Sequence, residues 1–200
     1  EMSKEAIFRR CVASIGGIPM QNLKSGDLTE GDMRSMSMAS GKIAASPLWF
    51  LDGSSSQSIA SITANIRRAV RKHSVKLVII DYLQKVKAAD KAEKRTYEVA
   101  EVSGKLKDIA VQTGVAMLCL AQLNRENEKD KGRQPRLTDL ADSGQIERDA
   151  DLVMLLDRDR KEAKGDASIV IAKQRDGECG LVNLWYDGQF CRFSEPSPHT

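Results

Sequence analysis

Two unbroken apolar runs constrain the fold of this chain more than any other feature. Residues 77–80 read Leu-Val-Ile-Ile, and residues 115–121 read Val-Ala-Met-Leu-Cys-Leu-Ala. A strand that is apolar at every position is predicted to be buried on both faces, as in a parallel sheet covered by helices. The segment between them, Thr96–Gln112, has the apolar spacing of an amphipathic helix. The order strand, helix, strand therefore predicts an α/β fold with a mainly parallel sheet.

The rest of the chain extends this pattern in both directions. Ser3 is a predicted N-cap, and Thr29 with Asp32 has capping-box spacing. Asp187-Gly188 predicts a tight turn between two antiparallel strands. Helices are predicted at Ser3–Ser14, Met20–Lys24, Thr29–Ser40 and Ile59–Val70, and further strands at Leu48–Leu51, Leu152–Leu156, Ile169–Ala172, Leu181–Tyr186 and Phe190–Phe193.

Composition excludes several classes of protein. With 200 residues, 41% of them hydrophobic and 30% charged, the chain is not of the disordered or fibrous kind. A net charge of +3 neither requires nor excludes a nucleic acid partner. No apolar run approaches the roughly 18 residues of a membrane span. The four cysteines form no CxxC pair, which disfavours structural zinc and suits a reducing cytoplasm, where we expect the protein.

Two strands are followed by polar side chains of functional interest. Ligands of α/β sheets bind at the carboxyl ends of the strands. Asp81 follows the first apolar run, where a Walker B aspartate would hold Mg²⁺, although many strands end in Asp for reasons of local structure. Gln122 follows the second run, where an amide can sense a γ-phosphate, although an exposed Gln commonly has no such role.

Two later segments have comparable chemistry. Asp142-Ser143-Gly144 offers a hydroxyl and flexible backbone N–H groups, which suit a phosphate backbone but also an ordinary capped turn. Lys173 and Arg175 alternate along a strand and so lie on one side of it. Such a pair can clamp phosphates, and it can equally keep an exposed sheet edge soluble.

In order and wording, these segments together resemble the RecA-like motor domain of DnaB-type replicative DNA helicases. The resemblance spans Glu1 to about Phe193 and leaves 194–200 as a loose tail. It implies a RecA-like P-loop NTPase core with helices on both sheet faces and antiparallel C-terminal strands. The matching stretches are Glu1-Met2-Ser3, VIIDYLQ at 78–84, QLNR at 122–125, LADSGQIERDAD at 140–151 and KQRDGECG at 173–180.

The resemblance also implies a role for individual residues. Glu1 matches the glutamate that activates the attacking water, and Asp81 matches the aspartate that holds Mg²⁺, through water. Gln122 matches the residue that senses the nucleotide and couples it to the DNA loops. Lys173 and Arg175 match the pair that reaches the γ-phosphate bound by the neighbouring subunit. The residues expected at single-stranded DNA are Arg125, Lys129, Lys131, Arg133, Asp142, Ser143 and Gly144.

One departure from the family pattern concerns the phosphate-binding loop. The 200 residues contain no GxxxxGK[ST] sequence, which would supply the phosphate cradle and the Mg²⁺ hydroxyl. In the family this Walker A motif lies upstream of the segment that matches Glu1. We therefore expect a partial motor domain that lacks the Walker A strand and helix, does not hydrolyse ATP alone, and leaves strand faces uncovered.

The expected ligands are ATP and Mg²⁺, and the expected partners are single-stranded DNA, five further copies in a hexameric ring and a helicase loader, with no membrane. Two other interpretations remain. One is a RecA- or clock-type ATPase on the same fold, which assembles without unwinding DNA. The other is a degenerate paralogue that binds DNA or caps a helicase ring without hydrolysis. Retention of the five catalytic candidates, Glu1, Asp81, Gln122, Lys173 and Arg175, favours the helicase motor.

Overall fold

The computed structural model divides the chain into two compact units. Unit 1 comprises Glu1–Asp52, Leu156–Ile169 and Leu181–Thr200, and unit 2 comprises Gly53–Leu155 and Val170–Gly180. The structure describes residues 2–51, 57–89, 95–124, 133–140, 143–159 and 162–196, with Ser143 by its backbone alone. No helix in these ranges is long and apolar enough to cross a membrane.

The first two helices of unit 1 confirm the local signals in the sequence. Helix α1 spans Lys4–Gly16 and begins where the Ser3 hydroxyl accepts the N–H of Ala6 at 3.2 Å. It ends at Gly17, whose φ of 62° is a left-handed conformation that glycine adopts without steric cost. Helix α2 spans Met20–Ser25.

Helix α3 completes the helical part of unit 1. It spans Glu30–Ala45, and it begins with the predicted capping box between Thr29 and Asp32. Its buried Ala39 packs with Val12 of α1 and with Ile18 in one apolar cluster. Ile43 packs against the same cluster, and the helix ends five residues beyond the predicted end.

The predicted strand at Leu48–Leu51 is wrong. These four residues have no regular secondary structure, and all four side chains are exposed. A short apolar run forms a strand only where a neighbouring strand pairs with it, and Leu48–Leu51 has no partner strand among the described residues.

The helices of unit 2 supply its core. Helix α4 spans Ile59–His73, α5 spans Arg95–Thr113, and α6 spans Ser143–Asp149. The apolar stripes of α4 and α5 face each other in a cluster built on Ile59, Ile66, Val99, Val102, Leu106 and Ile109.

The two apolar runs form a parallel pair of strands that is covered on one face. Strand β1 spans Leu77–Ile80 and β2 spans Ala116–Cys119. Val78 and Ile80 pack against the helical cluster, whereas Leu77 and Ile79 are 52% and 58% exposed. Burial on both faces is therefore wrong for these strands, because α4 and α5 pack on the same side of them. The expectation of uncovered strand faces is confirmed.

The C-terminal strands form a separate sheet in the order β3-β4-β5-β6. They span Leu152–Arg158, Lys164–Gln174, Gly180–Asp187 and Arg192–Ser194. β5 and β6 pair antiparallel, which confirms the predicted hairpin. The fold is α/β, as predicted. The prediction of a mainly parallel sheet is wrong for the described residues, because only two of their six strands form the parallel sheet. The tight C-terminal turn favours antiparallel pairing instead.

Candidate functional site

Asp81 and Gln122 lie at the same edge of the parallel sheet. β1 and β2 run in register, with Ile80 opposite Cys119, and the N–H of Leu120 donates to the carbonyl of Ile80 at 2.9 Å. Asp81 directly follows this pairing on one strand, and Gln122 follows it on the other. Both side chains are exposed. The sequence predicted this juxtaposition, because parallel strands end together.

The turn after β1 contains a residue to which sequence reasoning gave no role. The Oε1 atom of Gln84 accepts the backbone N–H of Gln122 at 3.4 Å. The N–H of Leu83 donates to the carbonyl of Leu120 at 2.8 Å, and Arg95 donates to the carbonyl of Gln84. Nε2 of Gln84 is buried and has no partner among the described residues. The sequence signal that could have identified Gln84 was its place in the DYLQ segment, three residues after Asp81.

Two carboxylates at the end of α6 are held by α5. Ser103 donates its hydroxyl to Oδ2 of Asp149 at 2.6 Å, and Gln145 donates to Oδ1 of the same residue at 2.8 Å. One turn further along α5, Lys107 donates to Oδ2 of Asp151. The second and third acidic residues of the ERDAD segment are therefore attached to the same face of α5.

Both predicted phosphate-binding cations at the end of β4 are attached to this same region. Nη1 of Arg175 lies 2.8 Å from Oδ1 of Asp151, and the backbone N–H of Arg175 donates to the carbonyl of Asp151 at 2.9 Å. Lys173 donates to the carbonyl of Glu147. The sequence predicted that Lys173 and Arg175 lie together, but it gave no indication of Lys107 or Asp151 as their partners.

The charge of Asp151 is stabilised by its neighbours. The hydrogen bond from Lys107 lowers the pKa of Asp151, and the positive charges of Lys107, Arg175 and Lys173 lower it further, against an opposing effect of desolvation. Asp151 is therefore ionised wherever the protein is handled near neutral pH.

Arg133, which is predicted to contact DNA, forms an ion pair with Asp139 of the same chain. Its Nη2 lies 3.0 Å and 3.1 Å from the two carboxylate oxygens of Asp139. Asp139 is 3% exposed and also accepts the backbone N–H of Arg136 at 2.8 Å. Burial opposes the charge of Asp139, but these hydrogen bonds and the Arg133 charge outweigh it and lower its pKa. A DNA contact of Arg133 stays a prediction.

Of the remaining predicted residues, only Gly144 is fully described by the structure. Gly144 is exposed on α6. Glu1, Arg125, Lys129, Lys131 and Asp142 lie outside the described residues, as does the side chain of Ser143. Their proposed roles stay predictions.

The described residues fit one class of metal. They contain no group of three or more His, Cys, Asp or Glu side chains that could enclose an ion. Mg²⁺ does not need one, because it is commonly held by one or two carboxylates together with waters and substrate phosphates. The exposed carboxylate of Asp81 at a strand end is an oxygen ligand of that kind.

Comparison with known proteins shows the family of the chain. Residues 1–195 match the family described as DnaB-like helicase C terminal domain. The replicative DNA helicase DnaB of Pasteurella multocida is 37% identical over 96% of this chain and 43% of the relative. That of Leifsonia xyli is 34% identical over 99% of this chain and 44% of the relative. The chain thus spans less than half the length of these curated relatives.

Two solved structures are similar throughout the chain. One is described as "The Structure Of A DnaB-Like Replicative Helicase And Its Interactions With Primase"; the TM-score is 0.91 at 33% identity, over 98% of this chain and 49% of the other. The second is described as an ATPase domain, with a TM-score of 0.90 at 33% identity, over 98% of this chain and 72% of the other. Together with the family match, they show that the chain belongs to the DnaB-like helicase C-terminal domain family.

Proposed function

We propose that this chain is the motor segment of an ATP-dependent replicative DNA helicase. In such a motor, NTP hydrolysis at subunit interfaces drives 5′→3′ movement on single-stranded DNA. The observation that carries the proposal is the position of Asp81 and Gln122 at one edge of the parallel sheet, joined through Gln84. The family match supports the same assignment.

Asp81 and Gln122 have different parts in this function. Asp81 holds Mg²⁺, through water, and the ion when bound neutralises charge on phosphate oxygens. Gln122 senses the nucleotide with its exposed side chain. Because its backbone N–H is bound by Gln84, which lies three residues after Asp81, a hydrogen bond links the two strand ends.

The two cations act on the neighbouring subunit. Lys173 and Arg175 reach the γ-phosphate bound next door in a homohexameric ring, where they stabilise charge that develops during transfer. Glu1 activates the attacking water. Single-stranded DNA runs past the remaining candidates (Arg125, Lys129, Lys131, Arg133, Asp142, Ser143 and Gly144), and a helicase loader places the ring on it.

The chain by itself does not supply a complete active site. No GxxxxGK[ST] sequence is present among its 200 residues. Positioning and electrostatics provide nearly all of the catalysis in phosphoryl transfer. We therefore propose that hydrolysis requires a phosphate-binding loop in addition to the residues described here.

The test uses a chimera in which residues 1–195 replace the matching segment of the Pasteurella multocida helicase. We expect ATP turnover that is stimulated by single-stranded DNA and that falls at least about 100-fold in Asp81→Asn, as for loss of one electrostatic catalytic group. The matched control is Asp108→Asn, which removes an exposed carboxylate of α5. Stimulated turnover that Asp81→Asn leaves intact would refute the proposal.

A second function to be tested is binding or capping without catalysis. A paralogue without a phosphate-binding loop would bind DNA or cap a helicase ring without hydrolysis. Mixing the 200-residue chain with an active relative and following its turnover separates the two functions. A capping protein would slow the relative in proportion to the chain added, whereas a motor segment leaves its turnover unchanged.

A further inference from the structure

The ion pairs around Asp151 are arranged so that each carboxylate oxygen has one cation. Oδ1 lies 2.8 Å from Nη1 of Arg175, and Oδ2 accepts a hydrogen bond from Lys107. Lys107 stands on α5, in the middle of unit 2, and Arg175 follows the end of β4. The carboxylate therefore connects a core helix to one of the cations that the proposed function uses.

The backbone fixes this connection more firmly than an ordinary surface ion pair. Isolated exposed ion pairs hold their side chains weakly. Here the N–H of Arg175 also donates to the carbonyl of Asp151 at 2.9 Å, which sets the distance between the two residues. Two residues earlier, Asp149 is bound by the 7% exposed Ser103, which stands one turn before Lys107 on α5.

We propose that Asp151 is a positioning residue for Arg175 and that Lys107 orients Asp151. The proposal rests on the proposed function, in which Arg175 reaches a phosphate of the neighbouring subunit. A guanidinium is a planar fork of five N–H donors, so a carboxylate that binds Nη1 restricts the orientations of the whole group. Its other donors then sample fewer directions than those of an unpaired guanidinium.

The charge balance leaves the cluster attractive to phosphate. Lys107, Lys173 and Arg175 contribute three positive charges, and Asp149 and Asp151 contribute two negative charges, so the net charge is +1. The positive charge of Lys107 also offsets the negative charge of the Asp151 carboxylate. Without it, Asp151 would compete more strongly with an incoming anion for Arg175.

The kinetic test separates orientation from attraction in the hydrolysing chimera described above. Asp151→Asn keeps the shape of the side chain but loses its charge, so we expect kcat to fall about 10- to 100-fold, the range for a misplaced catalytic group, with KM for ATP unchanged or lower. Lys107→Met should lower kcat less, and the double variant should be no worse than Asp151→Asn. Asp151→Glu should recover part of kcat.

Arg175→Ala in the same assembly distinguishes the two proposals. If Arg175→Ala leaves kcat unchanged, the proposed role of Arg175 is wrong and the inference falls with it. If Arg175→Ala lowers kcat but Asp151→Asn and Lys107→Met do not, the positioning role is wrong and the proposed function stands. Asp108→Asn, on the solvent side of α5, is the matched control and should have no effect.

A spectroscopic test uses the 200-residue chain without any nucleotide. The nitrogen-15 NMR signals of the Arg175 side chain, assigned by their loss in Arg175→Lys, report how freely the guanidinium rotates. We expect slowed rotation in the unsubstituted chain and free rotation in Asp151→Asn, with the backbone spectrum otherwise preserved. Equal rotation in the two chains would overturn the inference.

Discussion

Arg133 and Asp139 form a bifurcated contact in which one guanidinium nitrogen lies 3.0 Å and 3.1 Å from the two carboxylate oxygens. The side chain of Asp139 is almost wholly buried, and that of Arg133 is 27% exposed. The next residue, Leu140, packs with Val153 and Leu155 in a small apolar cluster. This ion pair therefore fixes the backbone immediately before the segment predicted to contact DNA.

Replacing Asp139 should destabilise unit 2. Asp139→Asn removes the charge that Arg133 faces and sets an amide NH₂ among donors, so the free energy of unfolding should fall by about 2 kcal/mol, in the range for hydrogen bonds to charged groups. Urea denaturation followed by circular dichroism measures it. Asp27→Asn, at an exposed position of unit 1, should change it by less than about 0.5 kcal/mol. Equal losses in both variants would contradict the prediction.

The same pair should make stability depend on pH in one direction. The pKa of Asp139 is lowered in the folded chain, so its contribution is complete above the unfolded pKa of about 3.9 and is lost as the pH falls through the folded pKa. The stability difference between the unsubstituted chain and Asp139→Asn should be constant between about pH 5 and 7 and narrow below about pH 4. Urea midpoints at a series of pH values test this, and a difference that widens in acid would refute it.

The exposed face of β1 should promote association of the chain. Ile79 is 58% exposed on a strand that also exposes Leu77, and exposed apolar strands favour association. Ile79→Thr keeps a β-branched side chain, so it should increase the monomer fraction in light scattering at little cost in stability. Val78→Thr, on the covered face, should lower stability without that gain. An unsubstituted chain that melts cooperatively with no dependence on concentration would contradict this prediction.

The cysteines should differ in their reaction with a thiol reagent. Burial raises the pKa of Cys119 to about 11, so at pH 8 only about one molecule in a thousand carries the reactive thiolate. Cys179 is exposed and should react first. Cys179→Ser should remove the fast phase of labelling, and Cys119→Ser should leave it unchanged. A fast phase that is lost in Cys119→Ser would show that the assignment is wrong.

The starts of α1 and α3 could be predicted because their signals are local. The Ser3 cap and the Thr29–Asp32 capping box each depend on residues within one turn. The strand at Leu48–Leu51 could not be judged in this way, since pairing depends on distant residues. For the same reason, the apolar run Leu77–Ile80 indicated a strand but not how many of its faces are covered.

The candidate site was predictable in its members but not in its contacts. Asp81 and Gln122 could be placed together because parallel strands end at one edge. Lys107 and Asp151 are 44 residues apart in the sequence. In the sequence, neither can be distinguished from an ordinary charged residue of the surface. Only the packing of α6 against α5 brings them together, and no periodicity in the sequence reports that packing.

The attachment of Asp149 and Asp151 to α5 constrains the number of residues between these two carboxylates. Ser103 and Lys107 are four residues apart on a helix, which is a rise of about 6 Å. Two residues of connecting chain reach at most about 7 Å, so the segment from Asp149 to Asp151 is long enough to follow this rise. We expect insertion of a single residue between them to shift one carboxylate relative to its donor on α5. The Asp-Ala-Asp segment should therefore tolerate a changed central side chain better than a changed number of residues.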